Sequence, residues 1–318
     1  MRPSTLDALH GEGLITAAQR AFLARVYDRS LFSVHHELRA VLYLGVALFA
    51  SGVGLLVYQH IDTIGHQVLI GALSLLTGFC FWYTGRQRPP YSNGPVASPG
   101  NVHDFVLLLG CLLLATVVGY LQFQYAIFGE HWGLGALLPA LACLWAAYAF
   151  DHRGVLSLGI AGLAGWLGLT VSPVSMLDRD TFADRSLITI GLAFGAAVCV
   201  LALALDRRGV KRHFTFTALS LGAHVLFVAG LAALFTWPGR WLTFACLLAC
   251  CAASIAYARR AQSFMFLLIP CVYGYIGLTY MFAMSLRPTG LAIFCYFAVS
   301  GGAIIYLLLN GRTVLGRS

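Results

Sequence analysis

Ten long apolar stretches separated by short polar breaks constrain this chain more than anything else in it. They run over residues 40–58, 66–84, 104–124, 132–150, 155–172, 187–205, 214–235, 241–257, 263–285 and 290–309. Each is long enough to cross about 30 Å of hydrocarbon at about 1.5 Å of helix rise per residue. They are too long for buried strands, and no Asp, Glu, Lys or Arg falls near the middle of any of them. Only 10% of the 318 residues are charged, whereas a water-facing domain carries about 25%. So little charge cannot clothe a soluble surface, and lipid must be the solvent. The expected fold is all-α: a polytopic transmembrane helical bundle of about ten spans.

The breaks between the stretches combine turn formers with charge, as in Asp151-His152-Arg153-Gly154, Asp206-Arg207-Arg208-Gly209, Trp237-Pro238-Gly239 and Arg287-Pro288-Thr289-Gly290. With ten spans, sixteen of the 20 Lys and Arg residues fall on one side, leaving Arg179, Arg185, Arg240 and Arg287 on the other. Basic residues collect on the cytoplasmic side, so both termini are expected there. The net charge of +8 is therefore a topological signal, and no nucleic-acid partner is implied. All nine cysteines lie inside apolar runs, where Cys behaves as a small hydrophobe and not as part of a disulfide framework. The first forty residues are polar, unlike a cleavable signal peptide.

Three regions follow: a cytoplasmic N-terminal helical segment (1–38), the bundle (39–310) and a short cytoplasmic tail (311–318). In the first, residues 6–10 suggest a short helix ended by Gly11 and Gly13. Thr16 and Gln19 have the T-x-x-Q spacing of a capping box that opens a second helix at about 17–29. Ile15, Phe22, Leu23 and Val26 lie towards one side of it, so the segment could dock a cytoplasmic protein or rest on anionic headgroups. Residues 86–103 contain four prolines and read as a flexible cytoplasmic loop. Asp178, Arg179, Asp180, Asp184 and Arg185 read as a solvated outer loop. Asp151-x-Arg-Gly and Asp206-x-Arg-Gly stand 55 residues apart, as if one hairpin were duplicated, and ten spans divide into five plus five as in many secondary transporters.

Polar groups inside the spans are the candidates for chemistry. His224 is the one deep titratable residue apart from Cys and Tyr. Gln122 and Gln124 sit near the outer end of the third stretch. In the ninth, Pro270 removes a backbone donor, leaving a carbonyl unpaired one turn earlier. Tyr273, Tyr275 and Tyr280 follow with Gly274 and Gly277. Together these residues could line a substrate path, or brace a kinked packing helix. Pro139 marks a second kink. A polar cluster of His60, Asp62, His66, Glu130 and His131 occupies the outer turns; its residue types suit a divalent ion, but the spacing demands none, and no metal is expected. Gly159, Gly162, Gly165 and Gly168 make 155–172 a close-packing helix and a possible homo-oligomer seam. The chain has no Walker A loop, Gly-x-Ser-x-Gly elbow, His-Glu-x-x-His pair or Cys-x-x-Cys motif, so neither cofactor nor catalytic residue is expected, and the balance is against an enzyme.

Gly13-Leu14-Ile15-Thr16 with Gln19, then Gly52-Val53-Gly54-Leu55 and Ile61-Asp62-Thr63-Ile64, resemble a family of uncharacterised bacterial multi-pass membrane proteins over about the first 85 residues. The chain departs from that pattern at Ile61, where the family has Trp, and at Gln59-His60, where it has Ala-Asn. The resemblance implies a bacterial inner-membrane location and carries no activity.

Two functions fit these features. One is a permease-like transporter of a small neutral or amphiphilic molecule, which requires a continuous polar cavity reaching the midplane between helices that include the ninth, with His224 or the tyrosines on its wall. The other is a non-transporting membrane scaffold or sensor subunit that binds a cytoplasmic partner through residues 1–38.

Overall fold

The computed structural model describes residues 11, 16–20, 41–49, 51–52, 54–55, 65–88, 90–171, 184–286 and 290–309. The chain divides into two compact units, Met1–His66 and Gln67–Ser318. In the first unit, residues 41–49, 51–52 and 54–55 are helical. Its capping box forms: the Thr16 N–H donates to Gln19 Oε1 at 2.8 Å, and the Gln19 N–H donates to Thr16 Oγ1 at 3.3 Å. Each side chain takes a donor that the first helical turn leaves orphaned. Of residues 1–38 the structure describes 11 and 16–20, with Gly11 helical, and the other residues of that segment lie outside the described ones.

From His66 onward the chain forms α1 (His66–Arg86), α2 (Asn101–Tyr125), α3 (Leu134–Phe150), α4 (Arg153–Val171), α5 (Arg185–Arg207), α6 (Thr215–Thr236), α7 (Arg240–Ala261), α8 (Phe264–Leu286) and α9 (Gly290–Leu309). Among the described residues there is no strand. Seven segments are long and apolar enough to cross a membrane: α1, α2, α4, α5, α7, α8, and α6 with the short turn before it. α3 has 17 residues because the turn at 126–133 takes up the start of its apolar stretch. The fold is thus an all-helical membrane bundle.

α6 is the central helix. It packs against α4, α5, α7 and α8, and it contributes Leu219, Ala223, Phe227, Leu231 and Leu234 to the larger core cluster. Its tightest neighbour is α5. A Cβ on Gly195 would lie 2.7 Å from the Leu226 backbone nitrogen and 2.9 Å from the Gly222 carbonyl oxygen. Only glycine permits that backbone-to-backbone approach. α3 and α4 meet similarly, with Gly159 facing Leu144 and Gly162 facing Ala140, while Gly165 has nothing within 4 Å. At least two glycines of this helix therefore serve packing inside the chain.

At the Arg-rich end of these helices the two Asp-x-Arg-Gly breaks join into one cluster. Asp151 closes α3 in a left-handed conformation (φ 58°). Its Oδ1 accepts from Lys211 Nζ at 2.8 Å and from His213 Nε2 at 2.5 Å, and its Oδ2 accepts the Val96 N–H at 2.6 Å. The side chains of Asp151 and Lys211 are only 5% and 2% exposed. Lys211 also donates its backbone N–H to Asn93 O at 3.1 Å, and its ammonium stands 4.9 Å from the Tyr91 ring. The proline-rich loop is thus hydrogen-bonded to both halves of the cluster. Asp206, the second Asp of the pair, accepts instead from its own turn, through Thr215 Oγ1 and Arg212 Nε.

Burial raises the Asp151 carboxyl pKa, but the donors from Lys211, Val96 and His213 outweigh it and leave the group below its ordinary 3.8. Its contribution to stability is therefore fully present above 3.8 and is lost as pH falls through the lower folded value. Asp151→Asn leaves the Lys211 ammonium buried without a counter-charge and should cost about 3–5 kcal/mol, read as a lowered melting temperature in detergent. The variant should also lack the acid-side stability loss below pH 3.8. Unchanged melting would show that the pair contributes nothing.

α8 contains Pro270, whose missing N–H frees the carbonyl of Phe266. That carbonyl is not left unpaired: Ser254 Oγ on α7 donates to it at 3.2 Å. Ser254→Ala should cost about 0.6–1.7 kcal/mol, the range for hydrogen bonds between membrane helices. In a Pro270→Ala background, where the helical N–H returns, the same substitution should cost nothing. Equal costs in both backgrounds would break the link between serine and proline.

Candidate functional site

A cavity of about 530 Å³ lies among α5, α6 and α7. Its existence follows from the packing around α6. α5 and α7 each pack against α6, and among the described residues they share no extensive contact with one another, so a groove remains between them with α6 as its floor. Gly230 on that floor has no side chain to fill it, and a Cβ there would already reach within 3.3 Å of Leu247. Leu226, Phe227, Leu247 and Cys250 make the inner walls apolar, while Leu242 (72% exposed) and Cys246 stand at the open side of the groove.

Polar groups concentrate at the end away from the Arg-rich cluster. There α6 stops at Trp237, which is extended (φ −82°, ψ 146°) ahead of Pro238. The indole Nε1 of Trp237 is buried and has no hydrogen-bond partner. Arg185 opens α5 on the opposite lip, exposed and without an ion pair among the described residues. Its neighbour Asp184 caps α5 by accepting the Ser186 N–H at 2.8 Å. The hydroxyls of Thr189 and Thr243 donate to carbonyls one turn back, leaving their lone pairs for a ligand.

A second cavity of about 190 Å³ lies further along α6 towards the Arg-rich end, with Cys199, Leu203, Leu219, Ser254, Tyr257 and Phe266 on its wall. The two cavities share Leu226, Phe227 and Cys250. Phe227, only 2% exposed, stacks on Tyr273 of α8 with ring centres 5.3 Å apart and planes 6° from parallel. The Tyr273 hydroxyl lies 3.0 Å from His224 Nδ1 in a shared hydrogen bond. His224 and Tyr273 therefore line neither cavity. They brace the ring that stands where the two cavities meet.

The remaining candidates from the sequence disperse. Tyr275 hydrogen-bonds Ser300 on α9 at 3.1 Å, and Tyr280 donates to the Phe235 carbonyl at 3.4 Å. Gln122 is on the wall of a third cavity of about 360 Å³ among α2, α3 and α4, along with Pro139. Its amide is engaged in the turn after α2, donating to Gly129 O and accepting from the Phe128 N–H, both at 2.9 Å. Gln124 is exposed, and Pro270 is buried against α7. Glu130 and His131 are exposed, and His66 is half-buried. His60 and Asp62 lie outside the described residues. Among the described residues no three His, Cys, Asp or Glu side chains converge to hold a metal. Arg185, Trp237 and Phe227 were not singled out by the sequence, where the first two read as loop and punctuation and the third as one apolar residue among many.

No curated protein and no solved structure matches the chain. Residues 7–156, which run from the N-terminal segment into the start of α4 and include Asp151, match the sequence model of a family described as predicted membrane protein (DUF2157). Over that stretch the chain is similar to this family of membrane proteins, whose function is unknown, and seven of its helices are long and apolar enough to cross a bilayer.

Proposed function

We propose that the protein is a permease-like carrier of small amphiphilic molecules, and that its path runs along α6. The observation that carries this reading is the pair of apolar cavities that meet at Phe227. At about 530 Å³ the larger falls within the range of about 300–1,000 Å³ usual for small-molecule sites. With both termini cytoplasmic, it opens on the outer half of the bilayer and the smaller one on the inner half. An amphiphile enters sideways between α5 and α7, without leaving lipid. The Phe227 ring, held by Tyr273 and through it by His224, separates the two cavities. Movement of that ring joins them. The absence of Asp, Glu, Lys and Arg from the middle of α5–α8 suits a substrate whose passing portion is apolar.

Reconstitution into liposomes with a fluorescent single-chain amphiphile tests this, with dithionite bleaching reporting movement between leaflets. The protein should accelerate that movement. Gly230→Phe, which fills the larger cavity from its floor, should slow it about tenfold, equivalent to about 1.4 kcal/mol on the barrier. Phe227→Ala should speed it or leave it fast. Equal rates in liposomes with and without protein would sink the carrier reading.

A further inference from the structure

Resting on the carrier reading, we infer that the α5–α6–α7 cavity binds a single-chain amphiphile with an anionic head, a carboxylate or a phosphate, received by Arg185 and the indole N–H of Trp237. An acyl tail gains little by exchanging lipid for an apolar wall, because the tails around it are as apolar as leucine. Leu226, Phe227, Leu247 and Cys250 can therefore accommodate a tail without selecting it. Selection must come from the polar end, where two polar residues line the cavity. Arg185 presents a guanidinium with no ion pair among the described residues. Trp237 presents an indole N–H that is buried and unpartnered.

Both groups are donors only. A buried N–H without an acceptor costs free energy, and the cost disappears when a ligand supplies one. Donors without acceptors call for an acceptor-rich head, and the guanidinium fork matches a carboxylate or phosphate in both shape and charge. A neutral hydroxyl head would offer the indole an acceptor but would leave the guanidinium without a counter-charge. Asp184, the nearest acid in sequence, has one carboxylate oxygen committed to the α5 cap. The groove between two helices standing on a third admits one chain lengthwise more readily than the splayed chains of a diacyl lipid.

The test uses purified full-length protein in phosphatidylcholine nanodiscs and two photoreactive probes with the same diazirine-bearing chain. One is the long-chain fatty acid and the other its neutral glycerol monoester. Adducts are mapped by mass spectrometry, and unlabelled fatty acid serves as competitor. The acid should label α5–α7 saturably around Leu226, Leu247 and Cys246, and the ester should label the same residues more weakly. Arg185→Gln should weaken acid labelling about tenfold, as expected for one charge-assisted hydrogen bond, and Arg185→Lys should restore part of it. Trp237→Phe, which keeps the ring plane and removes the N–H, should also weaken the acid. Arg240→Gln, at the same end but off the cavity wall, should change nothing.

Equal labelling by acid and ester, indifferent to Arg185→Gln, overturns the head assignment while leaving the carrier reading standing. Equal losses from Arg185→Gln and Arg240→Gln overturn it too, because general surface charge would then be the cause. No saturable labelling of the cavity by either probe overturns both readings. A melting curve for each variant separates loss of binding from loss of fold.

Discussion

A carboxylate taken out of water must have its charge answered nearby, and in this protein Asp151 is answered by groups from two other parts of the chain. Lys211 and His213 come from the turn between α5 and α6, and Val96 comes from the proline-rich loop. The cost of burying Asp151 and Lys211 separately would be several kcal/mol each. Together they are tolerated only while α3, the loop and the α5–α6 turn hold one arrangement. The cluster therefore fixes the α3–α4 hairpin relative to the α5–α6 hairpin at the Arg-rich end. Apolar helix faces in lipid cannot do this alone, because they slide and rotate against each other at little cost.

Fixing that end has a consequence at the other. Gly195 and Gly222 bring α5 and α6 into backbone contact, which commits one face of α6 to a single partner. α4, α7 and α8 then share the remaining faces, with Gly277 closing on Leu247, Leu234 and Leu231. α5 and α7 end up on opposite flanks of α6, so the groove follows from close packing on either side of it. The cavity among α5, α6 and α7 is thus a product of the tightest contact. Ser254 supports the same geometry from α7 by satisfying the carbonyl that Pro270 frees, so the interruption of α8 carries no unpaired group into the bundle.

Much of the fold was legible because a bilayer leaves few alternatives. The apolar stretches correspond to helices wherever residues are described, and the Thr16–Gln19 capping box could be read from spacing alone because its partners are three residues apart. The site was less legible, since its parts are joined by distance in space and not by pattern. Asp151 and Lys211 are 60 residues apart, and each read as ordinary loop charge. Of the tyrosines that looked like one wall of a path, Tyr273 and Tyr280 reach α6 while Tyr275 reaches α9, because phenols two residues apart on a helix cannot face the same way. His224 was recognisable as unusual, but its role as a brace depends on Tyr273 reaching it from α8. Trp237 looked like punctuation because Pro238 and Gly239 follow it; its unsatisfied N–H belongs to the fold and leaves no trace in composition.

These placements suggest a division of labour set by dielectric. At the Arg-rich end Asp151 and Lys211 are paired and buried, locking the scaffold. At the opposite end Arg185 has no ion pair among the described residues, and the Trp237 N–H beside the same cavity has no acceptor. A membrane protein has little to gain from an unpaired buried donor unless something supplies the acceptor. Between the two ends the path is apolar, interrupted by a single aromatic ring braced from behind. In the proposed carrier such a layout would read a ligand's head at one end, treat its tail indifferently, and confine the barrier to Phe227. Specificity and passage would then be separate problems assigned to separate residues, and a change at Arg185 would alter which molecule is held without altering how far it can travel.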